Sequence, residues 1–317
     1  MNHTGDLRME SRTGKFREAL IRGGRHKKTG PAGNTSTWFS VVFIAIFAIC
    51  ATAYGGYVEQ AAQPETKIGP ISIGLERQRE TEYGITLEAI ANYNKIDPSI
   101  MDPATLEANE QAKYEFMSLK WVDGVTAGEL AKMLEGRGVL EGHAQDFLDA
   151  ARAYDINPVY LVAHARLESG NGTSELSCGV YVKAGTYEDS NGHDYTIEKS
   201  SVYYNLFGIR AYDANPVHDG SVYAAGQKWD TVAAAIRGGA QWISDNYVNR
   251  SQAVSGSHDQ DTLYQMRFDP QGWATKKSGH QYATDQKWAA SIARIISEYS
   301  SAFEDSPLVY DIPAFAG

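Results

Sequence analysis

Glu168 closes the apolar run Val159 to Leu167 and is followed at once by Ser169-Gly170-Asn171-Gly172. Burial disfavours the charged form of a carboxyl group, so an acid at the mouth of an apolar helix keeps a proton to give near neutral pH. The chemistry open to it is general-acid catalysis, protonation of a departing oxygen. Position alone also fits a helix-terminal carboxylate in solvent. His164 lies four residues earlier on the same helix face, where the pair could ligate a metal. The other candidate ligands, His193, His218 and His280, are scattered without a spacing such as H-E-x-x-H, so neither a metal nor a cofactor is expected. Cys178 with one of those histidines could form the Cys/His dyad of a peptidase or amidase; a small structural cysteine is the commoner case.

The elements that must hold Glu168 are legible around it. Asn157-Pro158 supplies a cap and a first helical residue, and the segment to Glu168 is apolar nearly all round, as in a central buried helix that Gly170-Asn171-Gly172 ends. Upstream, Thr126 and Glu129 form a capping box, Gly136 and Gly138 stop that helix, and another runs from about His143 to Tyr154. From Ser177 to Ile209 the text turns to Val, Tyr and Thr around Asn191-Gly192, a hairpin signal. Helices are expected again over Thr231 to Val248, Asp261 to Met266 and Asp285 to Phe303. In the last, Trp288, Ile292, Ile295, Ile296, Tyr299 and Phe303 share one face. The expected fold is mostly helical, of the α+β class, with a small β-hairpin lobe, over residues 106–305. Residues 58–105, with Pro64, Pro70 and Pro98, read as a stalk or an arm lying against the domain, and 306–317 as a tail.

Charge is distributed unevenly. Residues 1–37 hold eight Lys/Arg against three Asp/Glu, a net of +5; the remaining 280 hold 21 against 36, a net of −15. So acidic a domain is a poor partner for nucleic acid. Between the two regimes, Trp38 to Tyr57 is uncharged and about the ~20 residues that cross a bilayer. The basic arm before it would stay in the cytoplasm and place the domain outside a bacterial cell membrane as a single-pass protein. Cleavage after Ala53, in the small-x-small run Ala51-Thr52-Ala53, would instead release it to the wall. Cys50 and Cys178, on opposite sides of that expected membrane, predict no intrachain disulfide.

His164 to Ser174, HARLESGNGTS, resembles the catalytic helix of glycoside hydrolase family 73, the bacterial endo-β-N-acetylglucosaminidases. Further segments follow in the family's order: YNLFGI from Tyr204, AYDANP from Ala211, GGAQWI from Gly238, TLYQMR from Thr262 and HQYATD from His280. The resemblance spans roughly Tyr114 to Ser300. It implies a lysozyme-like fold, a glycan groove between helical body and β-lobe, cleavage after N-acetylglucosamine in peptidoglycan, and Glu168 as the acid. It marks Tyr204 as an active-site residue facing the sugar, a role that suits a side chain with both a ring and a hydroxyl. Asn205, Phe207, Trp242 and Tyr247 are the expected substrate-binding residues, with core packing the alternative for the two last. An inverting mechanism needs a second carboxylate, for which Asp213, Glu188, Asp189 and Asp194 are the candidates. The substrate's own N-acetyl oxygen could replace it, oriented by Tyr204. A lytic transglycosylase or muramidase of the same fold, or a wall-binding protein without turnover, are the rival readings.

Overall fold

The structure is a computed structural model, and it describes residues 77–303 and 306–317. At its centre is the helix Pro158–Glu168, ten of whose eleven residues are buried. Asn157 starts it: the side-chain oxygen accepts from the Val159 and Tyr160 N–H groups at 3.0 and 3.2 Å, two of the donors a helix start leaves unpaired. The helices Ala127–Leu134, Ala144–Ala153 and Trp288–Ser297 pack around it. Thr126 and Glu129 close both halves of the capping box, and Trp288, Ile292, Ile295 and Ile296 turn into the core.

The turn after the central helix is built for close contact. Gly170, Asn171 and Gly172 all have left-handed backbones, and a Cβ on Gly172 would stand 2.2 Å from the Arg137 carbonyl. Only glycine permits this approach to the 3-10 turn Gly138–Leu140, whose Val139 N–H donates to the Gly172 carbonyl at 3.1 Å.

Among the described residues six strands make three two-stranded sheets. β1 is Arg77–Tyr83, β2 Val180–Val182, β3 Gly185–Glu188, β4 Asp194–Ile197, β5 Ser201–Tyr203 and β6 Val309–Phe315. The pairs β2–β5 and β3–β4 are antiparallel and form the small lobe. Its tip is the expected Asn191-Gly192, and Asp189 organises it by accepting the Asn191 and His193 N–H groups at 2.9 and 3.0 Å.

β1 and β6 pair in parallel along their full length, Arg77 opposite Val309 and Tyr83 opposite Phe315. The segment before residue 105 is thus joined to the domain through the segment after 306. Arg79 fastens the pair, bonding Asp311 at 2.7 Å and Asp261 at 3.0 Å, and the Thr81 hydroxyl donates to Asp311 at 2.7 Å. Helices Pro216–Gly226 and Pro270–Lys276 complete the body where the sequence pattern had indicated none.

One part of the expected fold is corrected. Among the described residues no helix is long and apolar enough to cross a membrane, the helix Val232–Ile243 reaching only twelve residues. The segment 38–57 lies outside the described residues, and the described fold is that of the α+β domain alone.

Beside the core sits an unusual acid. Glu115, in the 3-10 turn Ala112–Phe116, is 3% exposed, and burial pushes its carboxyl up to about 8 against the opposing charge of Arg267. Arg267 spends its donors elsewhere, on the Asp285 and Thr284 carbonyls at 2.8 Å each and on Asn94, and so ties down the segment leading into Trp288.

Candidate active site

Three residues of the central helix, Tyr160, His164 and Glu168, recur at steps of four and stand one above another on one face. The Tyr160 hydroxyl is 3.0 Å from His164 Nδ1 and donates to Met266 Sδ at 3.3 Å. With that proton engaged, the phenolic oxygen is left to accept from Nδ1, and the other ring nitrogen, Nε2, stands 3.6 Å from Glu168 Oε1. Trp288 Nε1–H donates to the same Oε1 at 2.8 Å. The Glu168 side chain is 1% exposed and that of His164 fully buried.

Aromatic rings enclose the column. Phe207, Tyr282 and Trp288 stand around the imidazole at centroid distances of 5.6, 4.6 and 5.5 Å, and Tyr282 stacks on Trp288 at 5.0 Å. The Tyr282 hydroxyl donates to the Phe207 carbonyl at 3.1 Å, and burial, with the Glu168 charge next, raises its pKa well above that of free phenol. Phe207 lies in turn on Gly239, where a Cβ would come within 2.2 Å of the ring. Segments far apart in sequence therefore meet at this acid: HARLES through His164 and Glu168, YNLFGI through Phe207, GGAQWI through Gly239, TLYQMR through Met266 and HQYATD through Tyr282.

The expected site residues fall into distinct places. Asn205 and Phe207 lie beneath the site rather than in its lining. Asn205 commits its amide to backbone, donating to the Ile209 and Gly220 carbonyls at 2.8 and 3.1 Å and accepting the Ile209 N–H at 3.1 Å, and Phe207 is fully buried. Tyr204 is half-buried where β5 joins the body. Its N–H donates to the Trp229 carbonyl at 2.9 Å and its ring lies over Gly179; the hydrogen bond to Glu168 comes from Trp288 instead. Asp213 is exposed, as are Glu188 and Asp194. Asp189 is buried and holds His193, Tyr195 and the hairpin backbone. Cys178 is exposed, its thiol directed at the Gly172 carbonyl at 3.8 Å. Among the described residues no group of three or more His, Cys, Asp or Glu side chains is arranged to hold a metal.

Trp242 and Tyr247 border a cavity of about 380 Å³, and their rings meet each other at 5.8 Å and Tyr282 at 6.2 and 5.2 Å. Tyr282 is the shared wall: one ring separates this cavity from the Trp288–Glu168 bond. Glu168 does not line this cavity, which lies next to the acid and not over it.

Sequence reasoning passed over Trp288 and Tyr282 as polar and aromatic partners of the acid, and weighed His164 only as a metal ligand. The i, i+4 spacing of His164 and Glu168 was a usable signal for a shared face. Nothing in the sequence alone joins Trp288 to Glu168, 120 residues apart.

Comparison with known proteins gives a consistent set of relatives. A family model described as mannosyl-glycoprotein endo-beta-N-acetylglucosaminidase matches residues 144–301. The bifunctional autolysin of Staphylococcus epidermidis is 37% identical over 225 residues, 71% of this chain. The match takes in only 15% of that relative's length. The crystal structure of S. aureus glucosaminidase B is similar with a TM-score of 0.55 at 31% identity, covering 76% of this chain and 94% of that one. S. aureus autolysin E, in complex with the muropeptide NAM-L-Ala-D-iGlu, is similar with a TM-score of 0.51 at 29% identity, covering 73% and 98%.

Proposed function

Because this chain belongs to the glucosaminidase family, the endo-β-N-acetylglucosaminidases of glycoside hydrolase family 73, we propose that it hydrolyses the β-1,4 bond after N-acetylglucosamine in peptidoglycan, at the cell wall, with Glu168 as proton donor. The observation that carries the reading is the carboxyl of Glu168, set among Trp288, Tyr282 and His164 with one hydrogen bond to hold it. Glu168 gives its proton to the glycosidic oxygen, the bond from that oxygen to the anomeric carbon breaks, and positive charge spreads over the sugar ring until water adds. A proton donor must touch the oxygen it serves. With a side chain 1% exposed, binding of the glycan has to displace part of the cover over the acid.

Two groups complete the proposal. Tyr204 faces the sugar at the cleaved bond and orients its acetamido group. The second charge-stabilising group is either Asp213 or that acetamido oxygen. The exposure of Asp213, Glu188 and Asp194 and the full commitment of Asp189 to its hairpin favour the acetamido route.

The test is digestion of purified peptidoglycan with mass spectrometry of the products. Reducing N-acetylglucosamine ends are expected; anhydro-muramic or reducing muramic ends reject the reading in favour of a transglycosylase or muramidase. Glu168→Gln keeps an oxygen for Trp288 to bond, so it should fold normally and lose turnover by roughly 10² to 10⁴. Undiminished turnover in that variant removes Glu168 from the mechanism. Asp213→Asn should stay within about threefold of the parent, the size of a modest surface effect of about 0.5 kcal/mol; a loss as deep as that of Glu168→Gln would make Asp213 the second carboxylate.

A further inference from the structure

The cavity beside Tyr282 is lined by more cations than carboxylates. Arg210, Arg250 and Lys276 line it, against a single carboxylate, Asp269. That carboxylate is already engaged: His258 Nε2 and the Gly272 N–H reach one oxygen at 2.6 and 3.0 Å, and the His280 N–H reaches the other at 2.6 Å. Arg210 donates to the Tyr212 hydroxyl and Lys276 to the Gly256 carbonyl. Arg250 has no ion-pair partner among the described residues, yet its charge is felt across the cavity, at Tyr247 and His280. Residues 38–317 carry a net −15, so a recess with three cations is a local reversal of sign. Low-dielectric walls concentrate such a field on whatever anion enters.

The remaining walls are flat rings. Trp242 and Tyr247 border the space, and His280 stacks on Tyr247 at 4.7 Å. Burial, with the charge of Arg250 next, holds the His280 imidazole down to about 4, so it is neutral at physiological pH and the positive charge belongs to the guanidinium and ammonium groups alone. About 380 Å³ falls within the usual range for small-ligand sites, about 300 to 1,000 Å³, room enough for a short peptide segment. A glycan backbone of N-acetyl sugars carries no charge; the anionic groups of a peptidoglycan strand sit on the peptide that branches from muramic acid. An arginine pair matches a carboxylate better than it matches a sugar hydroxyl.

We propose that this cavity is a subsite for the peptide branch of the glycan, with Arg250 and Arg210 receiving a stem carboxylate such as that of D-isoglutamate while Trp242 and Tyr247 pack against the neighbouring residue. This rests on the peptidoglycan reading above and adds to it a preference: strands with a free stem carboxylate are recognised, and amidated or peptide-stripped strands are not helped by the site.

Calorimetric titration of the full chain with a MurNAc-L-Ala-D-isoglutamate probe and with its isoglutamine counterpart tests this without any turnover. The free carboxylate form should bind about tenfold more tightly. Arg250→Gln should erase that difference, Arg250→Lys should restore part of it, and neither should shift the melting temperature, since the guanidinium has no ion-pair partner among the described residues. Equal binding of both probes by the parent protein, or an equal loss for both in Arg250→Gln, overturns the subsite. The glucosaminidase reading fails on a different measurement, the identity of the reducing ends, so the two failures are told apart.

Discussion

Replacing Glu115 with Gln should change how stability depends on pH, and the structure gives the size. In the folded chain this carboxyl titrates at about 8 rather than 4.5 because it is buried, so between those values the folded state holds a proton that the unfolded state has released. Stability then falls as pH rises, by about 1.4 kcal/mol for each unit at most. His280 works in the opposite sense below 6.5: its folded value of about 4 makes the unfolded state the one that binds a proton, and stability rises with pH from 4 to 6.5. Over that lower range the two slopes largely cancel. From pH 6.5 to 8 Glu115 acts without His280 to oppose it, contributing a loss of roughly 2 kcal/mol, or about 4 to 8 °C in melting temperature for a domain of this size. Thermal denaturation followed by circular dichroism at half-unit steps should show the parent losing those degrees and Glu115→Gln, which cannot ionise, staying level. A parent curve that is flat across the window, or a variant that declines in parallel, would refute the reasoning. The activity consequence follows from Arg267, whose bonds to Thr284 and Asp285 position the approach to Trp288: an ionised Glu115 draws on the same guanidinium.

Gly239→Ala places a methyl group 2.2 Å from the Phe207 ring, and overpacking of this kind costs about 1 to 3 kcal/mol. Because Phe207 braces both His164 and Tyr282, turnover should fall along with the melting temperature, measured on the same sample; a normal melt with normal rates would show that the ring moves aside freely. Trp288→Phe removes the one N–H that holds Glu168 Oε1 while keeping the ring that stacks on Tyr282. As Glu168 gives up its proton this becomes a hydrogen bond to a charged group, which contributes about 1.5 to 3 kcal/mol, so kcat should drop about 10- to 100-fold with KM little changed; a change confined to KM would move Trp288 from the acid to the binding of substrate.

What the sequence discloses is whatever local spacing controls. The Asn157-Pro158 start, the Thr126–Glu129 box and the Asn191-Gly192 tip are each determined by neighbours within a few residues, and each is found where its pattern put it. The placement of Glu168 at the end of a buried helix follows from the same logic. The strand β1 does not: its sequence, RQRETEY, has no alternation of apolar residues, and its stability depends on Asp261 and Asp311 far downstream. Asn205 and Phe207 sit in a motif suited to a sugar-facing segment, yet the first satisfies backbone carbonyls and the second fills the space left by a glycine on another helix. Which motif residues meet solvent and which support the others depends on long-range packing that the chain order does not express. Arg250 illustrates the converse, an unremarkable basic residue until the fold aligns it with Arg210 and Lys276.

The parallel pairing of β1 with β6 also dictates when the domain can become whole. Position 77 waits for position 309, so every intervening residue must have emerged before the ladder can zip, and contacts of such sequence separation are the slow ones in folding. A partly synthesised chain that ends before Asp261 would expose an unmatched edge and leave Arg79 without either of its aspartates. Completion of this domain is thereby tied to the arrival of β6, a timing device in which a seven-residue latch closes only after the residues between its two strands have emerged.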